Sequence, residues 1–198
     1  MNIVFDLGGV VFNFQPDMII EGVFTDAANR KLVKGEIFNH PDWLALDKGT
    51  LEKQDAIVRG AARTNLPVEQ IASLFNNLPE SLTPIQGTID LLHAISGSDN
   101  RFYVLSNMHH AAINHLEATY PIWDLFDGAV FSCRIKKIKP DAEIYEHLLQ
   151  TFELIAADTV FIDDMAVNLE AASQFGIKTV LFENPAQCRQ ALVELGCI

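Results

Sequence analysis

Helical and strand-like segments alternate along the second half of the chain, and this alternation constrains the fold more than any other feature of the sequence. Each predicted strand is a short apolar run, and short loops separate the segments. The predicted strands are 101–105, 128–132, 159–162 and 178–182, and the predicted helices are 84–95 (closed by Gly97), 109–119, 140–152, 167–175 and 185–195. Such alternation predicts a parallel sheet with helices on both faces.

A further strand opens the chain and runs into an acidic turn, in which residues 2–9 read NIVFDLGG. A buried strand of this composition delivers one carboxylate, that of Asp6, to the edge of a sheet. Gly8 and Gly9 permit positive φ angles and a close approach of the backbone to whatever Asp6 contacts. On this stretch alone, a turn in which Asp6 is only a capping residue remains an alternative.

Residues 15–82 have a different character, because they are amphipathic and helical throughout. The predicted helices are 16–27, 30–38, 51–64 and 68–76, with loop signals at 39–42, 47–50 and 65–67. So much helix directly after one strand is too long for a single crossover connection. We therefore predict two domains: a Rossmann-like three-layer α/β core formed by residues 1–14 and 84–198, and a small helical cap domain formed by residues 15–83.

The net charge of −12 argues against a nucleic-acid or anionic-membrane partner, because a phosphate backbone or anionic lipid would repel such a surface. A small anionic substrate in a pocket stays compatible with it. The sequence has no run of 18 apolar residues and no secretory signal, so we expect a cytoplasmic protein. Cys133, Cys188 and Cys197 are widely separated and are expected to be reduced thiols. The oligomeric state is left open, with a monomer as one option.

Polar side chains cluster at four segment ends: Asp6, Ser106-Asn107, Lys139 and Asp163-Asp164. Three of these ends are carboxyl ends of predicted strands, and Lys139 precedes a predicted helix with Pro140 at its first position. Ligands of an open parallel sheet bind at the carboxyl ends of its strands. We therefore expect these groups to converge, although they are spread over most of the chain.

These residue types make chemical sense around one anion and one metal ion. Asp6 is a carboxylate that can attack, Ser106 offers a hydroxyl donor, and Lys139 offers a positive charge. Two adjacent acids, Asp163 and Asp164, would repel one another without a cation, and oxygen ligands suit Mg²⁺. A metal, a lysine and a nucleophilic carboxylate together predict phosphoryl transfer.

Four stretches resemble, in order, the four motifs of the haloacid dehalogenase-like hydrolase superfamily. They are Phe5-Asp6-Leu7-Gly8-Gly9-Val10, Leu105-Ser106-Asn107, Lys139-Pro140-Asp141-x-x-Ile144-Tyr145 and Phe161-Ile162-Asp163-Asp164-x-x-x-Asn168. The helical insert resembles the C1-type cap of that superfamily. In motif detail the chain is similar to bacterial sugar phosphatases of the α-glucose-1-phosphate phosphatase type. The resemblance implies a Mg²⁺-dependent phosphatase that hydrolyses a small phosphomonoester, with a sugar phosphate as the expected class.

The resemblance also implies residue roles in catalysis. Asp6 would be the nucleophile that forms an aspartyl-phosphate and also a metal ligand. Lys139 would contact both the nucleophile and the phosphate. Ser106, helped by the amide of Asn107, would bind a phosphate oxygen.

The implied metal ligands are Asp6, the backbone carbonyl of Gly8, Asp164, and Asp163. Asp163 would act through water or would hold Lys139 instead. Asn168 stands where many members of the superfamily have another acid, and it is expected to support the ligands.

One position departs from the superfamily pattern, because most of its phosphatases carry a second Asp two residues after the nucleophile. That position is Gly8, which cannot protonate a leaving oxygen. Two alternatives therefore stay open: a catalytically weak binding or regulatory protein with this fold, and a 2-haloacid dehalogenase. Trp43 with Asp47-Lys48 is the hypothesised cap loop that touches substrate, whereas a ligand role for His109 or His110 is disfavoured, because adjacent histidines point to different faces of a helix.

Overall fold

The computed structural model describes residues 1–96 and 99–198. The strands of its sheet are β1 (Asn2–Phe5), β2 (Arg101–Ser106), β3 (Gly128–Phe131), β4 (Thr159–Asp163) and β5 (Lys178–Leu181). In this sheet they follow the order β3-β2-β1-β4-β5, and every neighbouring pair is parallel. The α/β fold with a parallel sheet is therefore confirmed.

Helices follow every strand, as parallel crossovers require. In chain order the α-helices are α1 (Pro16–Glu21), α2 (Ala27–Val33), α3 (Pro41–Asp47), α4 (Lys53–Thr64), α5 (Val68–Ser81), α6 (Gln86–Ile95), α7 (His110–Thr119), α8 (Ser132–Ile135), α9 (Ala142–Thr151), α10 (Ala166–Ser173) and α11 (Pro185–Glu194). A π-helical turn, Lys34–Phe38, continues α2, and short 3₁₀ turns lie at Trp123–Leu125 and Ala156–Asp158. Gly97, expected to close the helix before β2, lies outside the described residues.

The sheet separates two apolar layers, because alternate residues of each strand point to opposite faces. On one face, Val4 and Phe161 pack with residues of α9 and α10, such as Tyr145 and Leu169. On the other face, the cluster that holds Phe5 also contains residues of α6, α7 and α11, and it extends into α1–α5. Both faces are thus covered, which explains why the strands read as nearly continuous apolar runs.

The helical segment leaves and rejoins the sheet at neighbouring points. The backbone N–H of Asn13 donates to the carbonyl of Thr83 at 2.8 Å, and that of Ile85 donates to the carbonyl of Val11 at 2.8 Å. Between these crossings lie α1–α5, with α5 packed on α7 and α3 packed on α8. This arrangement is the one expected of an inserted segment, and the division into core and cap stays a prediction.

The most consequential difference from the sequence prediction is α3, where no helix was expected. Pro41 and Asp42 look like loop residues in the sequence, but proline is tolerated at the first helical position because its missing N–H has no intrahelical partner there. The Nδ1 atom of His40 accepts from the Asp42 backbone at 3.1 Å and caps the helix. As a result, Asp47 ends a helix.

Other predicted boundaries shift. The first predicted helix ends at Glu21, and α5 continues to Ser81 with Pro79 inside it. The helix expected to begin at Pro140 begins at Ala142, because Asp141 has the extended conformation of an N-cap residue. The three cysteines are free thiols, as predicted. Among the described residues there is no helix with the length and apolarity that a membrane crossing requires.

Candidate active site

Lys139 is the centre of the polar cluster at the carboxyl ends of the strands. Its buried Nζ lies 2.9 Å from Asp6 Oδ2 and 2.7 Å from Asp163 Oδ2, and it donates to the carbonyl of Leu105 at 3.0 Å. Burial by itself would lower the pKa of Lys139, but the two carboxylates outweigh it and raise the pKa above its ordinary value. The side chain therefore stays charged and ties three strands to one point.

Asp6 follows directly on the central strand β1. Its Oδ1 accepts from the backbone N–H of Leu7 at 2.7 Å, so the carboxylate is held at both oxygens. Burial raises the pKa of Asp6 to about 7, with Lys139 opposing the rise and Asp163 adding to it. The attraction of Lys139 thus favours the ionised form that a nucleophile needs.

Asp163 is fully buried and has partners at both carboxylate oxygens. Oδ1 accepts from the backbone N–H of Met165 at 2.7 Å, and the Asn168 amide lies 3.1 Å from each oxygen. With Lys139 on Oδ2, this carboxylate is directed toward protein donors. The geometry therefore matches the second of its two expected roles, holding Lys139, better than direct metal ligation. Asn168, which the sequence analysis expected to support the ligand residues, contacts the Asp163 carboxylate.

Carboxylate oxygens of Asp6, Asp163 and Asp164 lie within 4.8 Å of one another and form a candidate cation site. Three acids at this spacing fit a hard divalent ion, because the ion removes their mutual repulsion. Gly9, with a φ of +79°, makes room for this cluster: a Cβ there would lie 2.4 Å from Asp164 Oδ2. The sequence predicted a turn at Gly9, and the structure shows in addition that the Asp164 carboxylate lies close to the Gly9 backbone.

Ser106 and Asn107 differ in what their side chains do. Ser106 is buried at the end of β2, and its Oγ has no hydrogen-bond partner in the described parts of the chain. The side chain of Asn107 donates to the Lys139 carbonyl at 2.9 Å and accepts from the Lys139 N–H at 2.8 Å. The Ser106 hydroxyl nevertheless lies close to Asp6 and lowers the pKa of that carboxyl, and it can donate to an anion bound there. Because the Asn107 side chain is already paired, only its backbone N–H could donate to a phosphate.

A cavity of about 280 Å³ opens above this cluster. Its floor is polar and includes Asp6, Gly8, Asn107, Lys139, Asp164 and Asn168. Its walls are mainly apolar and consist of Phe14, Phe38, Trp43, Leu44, Leu78, Leu82, Met108, Ala112 and Met165. The aromatic rings form one wall, with ring centres 4.6 Å apart for Phe38 and Trp43 and 6.3 Å apart for Phe14 and Trp43. The hypothesised cap loop with Trp43 and Asp47 therefore reaches the site, together with residues of α5 that the sequence analysis did not single out.

Asp47 and His109 also line the cavity, and both are buried. Burial raises the pKa of Asp47 well above its ordinary value, although the His109 backbone N–H and the Trp43 side chain oppose the rise as hydrogen-bond donors. Burial lowers the pKa of His109 to about 4, and its Nε2 has no partner among the described residues. The signal that could have identified Leu78 is its four-residue spacing from Leu74 on one face of α5, whereas Leu82 follows the end of that helix.

Comparison with known proteins agrees with this architecture. The sequence profile of the haloacid dehalogenase-like hydrolases matches residues 3–182. A sesquiterpene phosphatase of Aspergillus oryzae is 31% identical over 195 residues, which are 98% of this chain and 96% of that protein. The chain therefore belongs to the haloacid dehalogenase-like hydrolases.

Two further similarities come from Bacteroides thetaiotaomicron. Its D-ribitol-5-phosphate phosphatase is 26% identical over 199 residues, covering 96% of each chain. The crystal structure of a haloacid dehalogenase family enzyme, in complex with magnesium and inorganic phosphate, has a TM-score of 0.71 at 23% identity and covers 92% of this chain and 94% of that one. The predicted family and the hydrolase class are confirmed, and the expected Mg²⁺ cofactor agrees with that complex.

Proposed function

We propose that the chain is a Mg²⁺-dependent phosphatase that forms an aspartyl-phosphate on Asp6. One observation carries this proposal: Lys139 Nζ lies within 3 Å of both the Asp6 and Asp163 carboxylates, directly beneath the cavity. A buried cation between a nucleophilic carboxylate and a pocket favours an anionic substrate. The relatives named as phosphatases support the same reaction.

In this mechanism the residues of the chain position the substrate and stabilise the negative charge of its phosphate. The positive charge of Lys139 attracts the phosphate, and the Ser106 hydroxyl donates to one of its oxygens, which places the phosphorus before Asp6. Asp6 then attacks in line, and water later hydrolyses the aspartyl-phosphate. Mg²⁺ held by Asp6, Asp164 and the Gly8 carbonyl would neutralise phosphate charge. Asp163 holds Lys139 in place.

The test is turnover of phosphomonoesters by the Asp6→Asn variant. We expect hydrolysis to fall to background while the melting temperature stays near that of the natural protein. Asp55→Asn, at an exposed position of α4, is the matched control and should keep full activity. If Asp6→Asn retains turnover, the nucleophile is misassigned.

The two alternative functions predict different measurable results. A binding or regulatory protein would bind Mg²⁺ or a phosphosugar without turnover. A 2-haloacid dehalogenase would release halide from a 2-haloacid in the presence of EDTA. The cluster of Asp6, Asp163 and Asp164 argues against the dehalogenase, because a reaction without a metal would leave three acids together with one lysine.

The walls of the cavity favour a particular substrate class within this function. A sugar phosphate, predicted from the motifs, needs partners for several hydroxyls, and each unsatisfied one costs about 1–3 kcal/mol. The aromatic wall of Phe14, Phe38 and Trp43, together with Leu78 and Leu82, offers apolar contact instead. We therefore favour the monophosphate of an apolar alcohol, in line with the sesquiterpene phosphatase relative.

Competition between the two substrate classes tests this preference. We expect kcat/KM for a prenyl monophosphate to exceed that for ribitol 5-phosphate or a hexose phosphate by at least about tenfold, the equivalent of one unsatisfied hydroxyl. Leu78→Asn should reduce the prenyl value selectively. A higher kcat/KM for the sugar phosphate would instead favour a sugar phosphate as the substrate class.

A further inference from the structure

The proposed reaction lacks an obvious proton donor, because Gly8 has no side chain to protonate the leaving oxygen. The glycine is not required by packing. A Cβ at Gly8 would meet only the Cβ of Phe14, at an ordinary contact distance of 3.7 Å, and its φ is not in the left-handed region. An acid would fit at this position, so its absence points to a donor elsewhere in the site.

The cavity holds one carboxyl group that neither the nucleophile nor the metal site uses. Among the described residues that line it, the carboxyl groups are those of Asp6, Asp47 and Asp164. Asp47 is 7% exposed and comes from the end of α3, within the helical segment between β1 and β2. In-line attack by Asp6 places the leaving group away from the nucleophile, in the cavity that Asp47 lines.

Contacts with the sheet domain hold Asp47 in that position. Ser132 Oγ, directly after β3, donates to the Asp47 carbonyl at 2.5 Å and accepts from the Met108 backbone N–H at 2.9 Å. Gly49 packs against the backbone of Cys133 so closely that a Cβ would lie 2.3 Å from its carbonyl oxygen. Such fixed placement is what proton transfer to a defined atom requires.

The environment of Asp47 favours the protonated form of its carboxyl group. Burial is the main cause of its raised pKa, and the nearby charge of Asp6 adds to it. The other titratable group that faces the cavity here, His109, is neutral: its Nδ1 accepts from the Ala112 N–H at 3.3 Å, so the hydrogen resides on Nε2. A neutral imidazole is a far weaker acid than a carboxylic acid, so His109 is suited to donate a hydrogen bond only.

We propose that Asp47 is the general acid of the reaction and takes the place of the acid missing at Gly8. The inference rests on the proposed phosphatase function. As Asp6 forms its bond to phosphorus, the bond to the leaving oxygen breaks, and that oxygen takes the electron pair and the Asp47 proton to leave as an alcohol. The Asp47 carboxylate then takes a proton from the water that attacks the aspartyl-phosphate. Inorganic phosphate leaves, and both acids return to their starting states.

The experiment compares leaving groups in the Asp47→Asn variant. Proton donation matters for an alkyl phosphate, whose alcohol is a poor leaving group, and matters little for p-nitrophenyl phosphate. With the alkyl ester we expect the first turnover to slow by about 10²- to 10⁴-fold. With the nitrophenyl ester the first turnover should stay within about tenfold and appear as a burst of nitrophenol, because the second step has lost its base.

A rescue variant separates proton donation from a purely structural role. Adding Gly8→Asp to Asp47→Asn should restore much of the alkyl turnover, since a Cβ at Gly8 meets only the Cβ of Phe14, at 3.7 Å. Asp55→Asn is again the control. If Asp47→Asn fails to fold, Asp47→Ala carries the same comparison. Equal losses for both esters, or an unchanged first turnover with the alkyl ester, would overturn the proposal for Asp47. An inactive natural protein would instead refute the phosphatase function.

Discussion

Gly9 provides the sharpest test of the metal site, because its lack of a side chain makes room for Asp164. In Gly9→Ala the new Cβ would lie 2.4 Å from Asp164 Oδ2, so the carboxylate must move by about 1 Å to reach an ordinary contact of about 3.4 Å. A metal ligand tolerates displacements of only about 0.2 Å. A misplacement of this size costs about 100-fold in rate. The alanine also has to adopt the positive φ, at a cost of about 1–2 kcal/mol.

The assay is kcat/KM as a function of Mg²⁺ concentration, together with a thermal melt. For a chain of this size, the backbone cost corresponds to a loss of about 2–8 °C in Tm. Gly35→Ala is the control, because a Cβ there has no heavy atom within 4 Å and Gly35 does not line the cavity. It should keep both its activity and its Mg²⁺ midpoint. An unchanged Mg²⁺ midpoint in Gly9→Ala would refute the assignment of Asp164 as a ligand.

Three further outcomes are expected. EDTA should abolish turnover and added Mg²⁺ should restore it. Without the metal ion, Asp6, Asp163 and Asp164 would repel an incoming phosphate. Activity that survives chelation would contradict the metal site. Because burial raises the pKa of Asp47, the folded protein retains a proton that the unfolded chain releases, so stability falls as pH rises above about 4. The Tm of Asp47→Asn relative to the natural protein should therefore increase as the pH rises above about 4, and a constant difference would contradict the raised pKa. Gly128→Ala would place a Cβ 2.3 Å from the Phe152 ring and should lower the free energy of urea unfolding by about 1–3 kcal/mol. Gly35→Ala is the control, because a Cβ there has no heavy atom within 4 Å. Equal stabilities of the two variants would refute the packing argument.

Local pattern alone was sufficient to predict the sheet and the residues at its carboxyl edge. Parallel strands read as apolar runs, so the alternation of segments indicated β1 to β5 before any contact was known. The same topology brings Asp6, Ser106 and Asp163 together, because β1, β2 and β4 are neighbours in the sheet and end at one edge. The helix α3 escaped prediction because Pro41 and Asp42 favour both a loop and the first turn of a helix.

What the sequence determined, then, is the order of elements, the family and the polar residues of the floor, all of which follow from periodicity and motif spacing. Only the tertiary structure decided what surrounds that floor. Phe14, Phe38, Trp43, Leu78 and Leu82 come from separate segments, and their meeting at one wall depends on how the helices pack. The character of Asp47 likewise depends on the tertiary structure, because burial beside Ser132 and His109 raises the pKa of its carboxyl group well above the ordinary value.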